Sequence, residues 1–196
     1  MWLVAGLGNP GPEYERTPHN LGFLAVDRVA ARHAVRVTRE EANSLVGLGQ
    51  VAGTPVVLVK PQTFMNVSGP AIKALLDRYE LGPANLLLVY DELALPWRQL
   101  RVRPKGSSAG HNGVKSTIRS VGTEEFARLR LGIHPGHPIG DGAKFVLDPF
   151  RKAQGAELDE MLDQAADAIE SILAEGVEKS MAKYNRRAQG STEEES

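Results

Sequence analysis

Hydrophobic and polar residues along the chain form two alternating patterns, short runs rich in β-forming residues and longer stretches with apolar residues at helical spacing. The run 86–90, Leu-Leu-Leu-Val-Tyr, is apolar throughout, as expected of a strand that is buried on both faces. Stretch 153–175 instead carries one apolar stripe, typical of a helix that packs on one side. The predicted strands are 2–6, about 44–51, 55–59, 86–90, 99–103, 126–133 and 144–147, and the predicted helices are about 20–33, 68–80, 112–121 and 153–175.

The order of these elements predicts the fold class. Strands and helices alternate, which is typical of an α/β protein with a parallel or mixed sheet. We expect a single-domain three-layer fold in which a mixed, largely parallel sheet is flanked by helices. The length of 196 residues suits one domain, here 1–188. Segment 189–196 has no apolar anchor, so we expect it to be a disordered acidic tail.

Composition narrows the classes of function. Hydrophobic residues make up 42% of the chain, enough for a core, and no apolar run approaches the length that spans a membrane. The N-terminus lacks a basic-then-apolar signal pattern, so we expect a soluble cytoplasmic protein with no membrane partner. The chain has no cysteine, which excludes disulfides, thiolate nucleophiles and cysteine-based zinc sites.

The net charge of −1 hides an asymmetry along the chain. Segment 95–152 carries eleven Lys or Arg against four Asp or Glu, whereas segment 153–196 carries four against eleven. A locally basic segment can bind phosphate even when the whole chain is mildly acidic. Charge alone favours the alternative, an ordinary solvated face that an acidic face balances.

The segment 6–11, Gly-Leu-Gly-Asn-Pro-Gly, has the G-x-G-x-x-G spacing of a dinucleotide-binding turn. Such a site needs a helix to open at the third glycine, so that free N–H groups meet the phosphate. Pro10 and Pro12 flank Gly11 and remove donors, and Pro18 stops a helix soon afterwards. The pattern therefore favours a rigid loop that presents other side chains.

Polar side chains follow several of the predicted strands. In open α/β sheets, ligands bind beyond the carboxyl ends of the strands, beside helix N-termini. Four loops meet this condition: 7–20, 60–69, the end of strand 86–90, and 106–113. Individually, their polar residues could be turn or cap residues, and their apolar ones core. Together they place candidates at one edge of the sheet, namely Asn9, Tyr14, His19, Phe64, Asn66, Asp91 and Asn112.

A histidine and an aspartate without cysteine suggest general-base activation of water or of a serine. The segment 106–110, Gly-Ser-Ser-Ala-Gly, matches G-x-S-x-G. A nucleophile elbow, however, follows a buried strand, with the acid and the histidine later in the chain. Segment 101–105 is too charged for such a strand, and Asp91 precedes Ser108. The glycine-rich segment fits a loop that approaches phosphate or substrate better.

The chain resembles bacterial-type peptidyl-tRNA hydrolases over nearly its whole length. The resemblance lies in separate motifs in the same order: 6–11 with Tyr14 and 19–20, then 61–69, 91–96, 106–113 and 128–133. It implies hydrolysis of the ester between a peptide and the 3′ ribose of tRNA, which recycles tRNA from stalled translation. It also implies a monomer with no cofactor, no metal and no obligate protein partner, which binds the acceptor stem and 3′ end of peptidyl-tRNA.

The resemblance also assigns residue roles. His19 corresponds to the base that activates water, Asp91 to the carboxylate that orients it, and Asn9 to the residue that discriminates N-blocked from free aminoacyl groups. Arg103 and Arg130 match a basic pair that grips tRNA phosphate. Two departures, Ser107-Ser108-Ala109 in the glycine-rich loop and arginine rather than lysine at 103, leave the expected activity intact. Positions that contact the terminal nucleotide and peptide correspond to Tyr14, Phe64, Asn66 and Asn112.

Two other classes stay open at this point. A non-catalytic RNA-binding protein of the same fold would keep the basic segment but lack a His–Asp pair, and this chain has both. A serine esterase would instead use Ser108.

Overall fold

The computed structural model describes residues 1–185, so the tail predicted for 189–196 lies outside the described residues. A mixed sheet forms its centre. The strands are β1 (Trp2–Gly6), β2 (Arg39–Glu41), β3 (Ser44–Val51), β4 (Thr54–Pro61), β5 (Leu86–Pro96), β6 (Leu100–Arg103) and β7 (Ala127–His134). The helices are α1 (Leu21–Arg32), α2 (Ser68–Arg78), α3 (Asn112–Val121), α4 (Gly142–Phe145), α5 (Gly155–Glu175) and α6 (Val177–Tyr184).

The strands lie in the order β2-β3-β4-β1-β5-β7-β6. The central strands β4, β1, β5 and β7 are parallel, whereas β2, β3 and β6 add antiparallel pairings at the two edges. Helices α1 and α5 pack together on one side, and α2 and α3 pack together on the other. The predicted three-layer α/β fold is confirmed.

Each face of the sheet has its own hydrophobic core, because side chains alternate between the faces along every strand. Val4, Leu87 and Val89 point into the core beneath α1 and α5. Leu3, Leu86 and Leu88 point into the core beneath α2 and α3. A strand such as β5 is therefore apolar at consecutive positions, which explains why the run 86–90 lacks alternation.

Gly6, at the start of segment 6–11, allows α1 to pack closely on the sheet. A Cβ at Gly6 would lie 2.1 Å from the carbonyl oxygen of Gly22, and a Cβ at Gly22 would lie 2.3 Å from the nitrogen of Leu7. The backbones of β1 and α1 thus touch only because both residues lack a side chain. At Gly11 the chain enters a short 3-10 helix, Pro12–Tyr14, rather than the α-helix of a dinucleotide site.

The strand predicted for 144–147 is wrong, because this segment forms the end of α4 and the turn after it. Its Phe-Val-Leu composition is typical of a strand. The local signals are stronger, since the Asp141 side chain caps the helix by accepting from the Lys144 nitrogen at 3.2 Å. Strand β2 and helix α6 are elements that the sequence pattern did not predict.

Candidate active site

A cavity of about 480 Å³ opens at the carboxyl ends of β1 and β5, where the polar loops were expected to meet. Its walls come from the loops after β1 and β4, from β5 itself, from the start of α3 and the loop before it, and from α4 with the residues after it. Six of the predicted site residues line this cavity: Asn9, His19, Phe64, Asn66, Asp91 and Asn112.

His19 and Asp91 form a hydrogen-bonded pair that lines the cavity. His19 lies in a short 3-10 helix, Pro18–Asn20, directly before α1, and Asp91 lies within β5. The imidazole Nδ1 is 2.8 Å from the carboxylate Oδ2. Because an ionised carboxylate can only accept, Nδ1 carries the proton and donates it. In the neutral imidazole with this tautomer, the lone pair lies on the other ring nitrogen, Nε2.

His111 is a second imidazole on the same carboxylate, and the sequence did not single it out. Its Nε2 lies 2.9 Å from Asp91 Oδ1, while its Nδ1 accepts from the backbone nitrogens of Gly113 and Val114 at 3.1 and 3.4 Å. Nδ1 is thus an acceptor, and Nε2 donates to Asp91. In the sequence, the only signal was a histidine before a helix start, which suggests nothing more than a cap.

Asp91 is 2% exposed, and its environment decides its charge. Burial alone would raise the pKa of the Asp91 carboxyl, but attraction to His111 and the hydrogen bonds from His111 and His19 outweigh it. The pKa of Asp91 is consequently held well below its usual range. The carboxylate stays ionised at neutral pH, and both of its oxygens are engaged by imidazoles.

Asn9 is held rigidly beside this pair. Its backbone nitrogen donates to Asn20 Oδ1 and its carbonyl oxygen accepts from Asn20 Nδ2, both at 2.9 Å. Its side-chain Oδ1 accepts from the Met65 nitrogen at 2.8 Å. Since the acceptor end of the amide is occupied, Nδ2 is the end that can donate to a ligand.

Phe64, Asn66 and Asn112 lie on the rim of the cavity. Phe64 is 61% exposed, which is unusual for a large aromatic side chain, and it immediately precedes the short 3-10 helix Met65–Val67. Asn66 is exposed in that helix, and Asn112 is exposed as the first residue of α3. An aromatic face and two amides are thus accessible to a bound molecule.

Three predicted site residues lie outside the cavity walls. Tyr14 is half-buried in the 3-10 helix Pro12–Tyr14. Arg103 and Arg130 lie on β6 and β7, beside the cavity rather than in it. Arg130 pairs with Arg101 across the two strands, and Arg103 pairs with Arg128, so all four arginines share one face of the sheet.

Part of the cavity wall was not predicted at all. Residues Gly142, Ala143, Val146 and Leu147, in α4 and just after it, also line the cavity. The carbonyl oxygen of Val146 accepts from the His19 nitrogen at 2.9 Å, which attaches this segment to the pair. Because 144–147 was predicted as a strand, the sequence did not place it at the site.

Within residues 1–185, the side chains that could together hold a metal ion are those of His19, Asp91 and His111. The ligand atoms of His19, Asp91 and His111 lie within 4.8 Å of one another. The 2.8 and 2.9 Å separations are those of charge-assisted hydrogen bonds between imidazole N–H groups and a carboxylate. Two hydrogen bonds, each from an imidazole N–H to the Asp91 carboxylate, account for this geometry.

The serine alternative finds little support in the geometry. Ser108 lies in the loop between β6, an edge strand, and α3, not on a tight turn after a central strand. The ring nitrogens that face Asp91 belong to His19 and His111, and Ser108 does not line the cavity.

Within residues 1–185, the structure has no helix that is both long and apolar enough to cross a membrane.

Comparison of the chain with known sequences identifies its family. The model of the peptidyl-tRNA hydrolase family matches residues 3–193. A peptidyl-tRNA hydrolase of Solibacter usitatus is 55% identical over 195 residues, covering all of both chains. A peptidyl-tRNA hydrolase of Koribacter versatilis is 46% identical, covering 95% of this chain and 94% of the relative.

A solved structure agrees with the sequence relatives. The crystal structure of peptidyl-tRNA hydrolase from Acinetobacter baumannii superposes with a TM-score of 0.86 at 31% identity, covering 94% of each chain. A crystal structure of peptidyl-tRNA hydrolase in complex with N-propanol has a TM-score of 0.88 at 29% identity, covering 97% of each chain.

Proposed function

Because the chain belongs to the peptidyl-tRNA hydrolase family, we propose that it hydrolyses the ester bond between a peptide and the 3′ ribose of peptidyl-tRNA, with water activated by His19. The family resemblance predicted from the sequence motifs is confirmed. The observation that carries the proposed mechanism is the His19–Asp91 hydrogen bond of 2.8 Å within a cavity that asparagine amides surround.

His19 acts first as a base and then as an acid. Its Nε2 takes a proton from a water molecule as the water oxygen attacks the ester carbonyl carbon. In the tetrahedral intermediate the former carbonyl oxygen is negative, and the imidazolium is stabilised by ionised Asp91. When the carbon–oxygen bond to the ribose breaks, the imidazolium returns the proton to the 3′ oxygen, which leaves free tRNA and the peptide acid. The new carboxylic acid then loses its proton to solvent and becomes a carboxylate.

The proposed mechanism needs neither a metal ion nor a covalent intermediate. An ester is far more reactive than an amide, and its alkoxide leaving group is protonated directly by His19. The Asn9 amide supplies a fixed donor, and fixed donors stabilise charge that develops on a carbonyl oxygen. Both oxygens of Asp91 are committed to imidazole N–H groups, which supports an orienting role.

Substrate recognition is proposed to divide between the rim of the cavity and the arginine face. The arginine face is the face of the sheet that carries Arg101, Arg103, Arg128 and Arg130. Amide side chains both donate and accept, so Asn66 and Asn112 suit the backbone of a peptide of any sequence. Exposed Phe64 offers a surface on which a terminal base can stack, and Tyr14 is proposed to contribute near it. Arg103 and Arg130 are proposed to bind tRNA phosphate, which positions the acceptor end without reading its bases.

The reaction itself is tested with N-acetyl-aminoacyl-tRNA. We expect the protein to release the N-acetyl-amino acid and to leave free aminoacyl-tRNA largely intact, because Asn9 is proposed to discriminate against a charged amino group. Release is followed by separating acylated from deacylated tRNA over time. Equal cleavage of both substrates would contradict the role of Asn9, and cleavage of neither would contradict the proposed function.

Replacement of both Arg103 and Arg130 with alanine is expected to raise KM for peptidyl-tRNA more than it lowers kcat. Each phosphate contact that is lost reduces the number of counterions that tRNA binding releases. The slope of log affinity against log salt concentration should therefore become shallower by about one unit per contact. Binding of deacylated tRNA is measured over a range of salt concentrations, together with cleavage of a peptide esterified to one terminal nucleotide. That short substrate should be cleaved about as well as by the wild type.

The matched control removes two positive charges at the opposite edge of the sheet. Arg36 and Arg39 are exposed and precede or belong to β2, whereas Arg103 belongs to β6. Arg36→Ala with Arg39→Ala should leave both KM and the salt slope near wild type. An equal loss in the two double variants would show that only the net charge matters, not the proposed phosphate contacts.

A further inference from the structure

Tyr90 is a buried side chain that lies between the arginine face and the catalytic pair. Its exposure is 1%, and it directly precedes Asp91 in β5. Its hydroxyl oxygen accepts from Arg130 Nε at 3.0 Å and, at the longer distance of 3.5 Å, from Arg128 Nη1. The edge-on contact of its ring with the His111 ring has a centroid separation of 5.1 Å. The reaction mechanism gives none of these contacts a role.

We propose that the Tyr90 hydroxyl is a positioning group that fixes the Arg130 guanidinium for the tRNA phosphate. This inference rests on the proposed role of Arg130 as a phosphate contact. Tyr90 and Arg130 are directly paired across β5 and β7, so their side chains lie next to each other on the same face of the sheet. Because Nε is bound to Tyr90, the Nη groups form the edge that is left for a phosphate oxygen.

Arg128 completes the support without depending on Tyr90. Its guanidinium is fully buried and donates to the carbonyl oxygens of Phe126 at 3.0 Å, Glu124 at 2.9 Å and Ser107 at 3.2 Å, and to that of Gly106. Burial lowers the pKa of Arg128, and these carbonyl oxygens satisfy its donors. Arg128 thus holds the glycine-rich loop, whereas Arg130 Nε has Tyr90 as its buried anchor.

Phenylalanine at position 90 separates the hydroxyl from the ring. Tyr90→Phe keeps the ring against His111 and the packing of β5, and it removes only the hydroxyl, whose oxygen accepts from Arg130. Arg128 retains its carbonyl partners, and half-buried Arg130 can be hydrated, so we expect the variant to fold. An unanchored arginine must lose rotamer freedom when phosphate binds, and that ordering cost weakens binding by about three- to tenfold.

The test compares Tyr90→Phe, Arg130→Ala and the double variant. For Tyr90→Phe we expect Kd for deacylated tRNA and KM for peptidyl-tRNA to rise by about three- to tenfold. Its kcat and its cleavage of the short single-nucleotide ester should stay within about twofold of wild type, a split that general structural damage would not produce. In the Arg130→Ala background the Tyr90→Phe change should add nothing, because the group that it positions is gone.

Tyr79→Phe is the matched control. The Tyr79 hydroxyl also bonds a charged partner, donating to Glu41 at 2.7 Å, but it lies just after α2 and away from the cavity. Its removal should leave tRNA affinity unchanged. Equal effects of Tyr79→Phe and Tyr90→Phe would overturn the inference, as would additive effects of Tyr90→Phe and Arg130→Ala.

The remaining outcomes separate the inference from the proposed function. If Arg130→Ala weakens tRNA binding and Tyr90→Phe does not, the role of Tyr90 is overturned and the phosphate contact stands. If Arg130→Ala leaves tRNA binding unchanged, the phosphate contact is overturned and the role of Tyr90 with it. If the wild type releases no peptide while the binding differences persist, the hydrolytic mechanism fails and the role of Tyr90 in tRNA binding is supported.

Discussion

His19→Ala is expected to lose nearly all hydrolysis while keeping its fold and its affinity for tRNA. The change removes the group that is proposed to take the proton from water and to return it to the ribose oxygen. General-base effects are worth about 10²–10⁴ in rate, and we expect a loss at the upper end because one side chain serves both steps. The measurement is kcat/KM for N-acetyl-aminoacyl-tRNA, with deacylated tRNA binding measured in parallel.

His33→Ala is the matched control for this variant. His33 also pairs with a carboxylate, Glu170, at a distance of 2.7 Å, but it follows α1 on the surface that faces α5. We expect its removal to leave the rate near wild type. Activity of His19→Ala within a few-fold of wild type would contradict the assignment of His19 as the base.

Asp91→Asn is expected to have the second largest effect. The amide has one acceptor and one donor end, whereas the carboxylate accepts from two imidazole N–H groups. One histidine must therefore face a donor and change its tautomer. If His19 does so, its Nε2 carries a proton and cannot accept one from water. A wrong tautomer has cost about 10⁴ in kcat in a serine protease.

We expect a smaller loss here, about 10²–10³, because those His19 rings that keep the correct tautomer would still activate water. Residual activity should exceed that of His19→Ala, and a lower rate would show that Asp91 itself takes part in proton transfer. Asp77→Asn is the control, since Asp77 is an exposed partner of Lys73 on α2. It should change neither the rate nor the affinity for tRNA.

Local patterns in the sequence determined most of the secondary structure and the two members of the proposed catalytic pair. The central strands and α1, α2, α3 and α5 follow from runs and periodicities that each segment carries within itself. His19 and Asp91 were predicted because the carboxyl ends of β1 and β5 must meet at one edge of a sheet in which those strands are parallel. The loop motifs then identified the family.

Segment 144–147 shows where the local pattern was misleading. Phe, Val and Leu in sequence favour a strand, but a strand needs a free sheet edge beside it. Whether an edge lies nearby depends on how distant strands are arranged. The order places β6 and β2 at the two edges, and 144–147 instead ends the capped helix α4 and borders the cavity.

The contacts of His111 and Tyr90 were decided only by the tertiary structure. His111 precedes a helix and Tyr90 lies in a buried strand, and neither position is distinctive in sequence. Their partners lie far away in the chain: His111 bonds Asp91, and Tyr90 bonds Arg130. Such pairings arise when α3 and β7 pack against β5, so no local pattern of residues can encode them. The sequence by itself determined which groups could do the chemistry, and the packing decided which groups hold them in place.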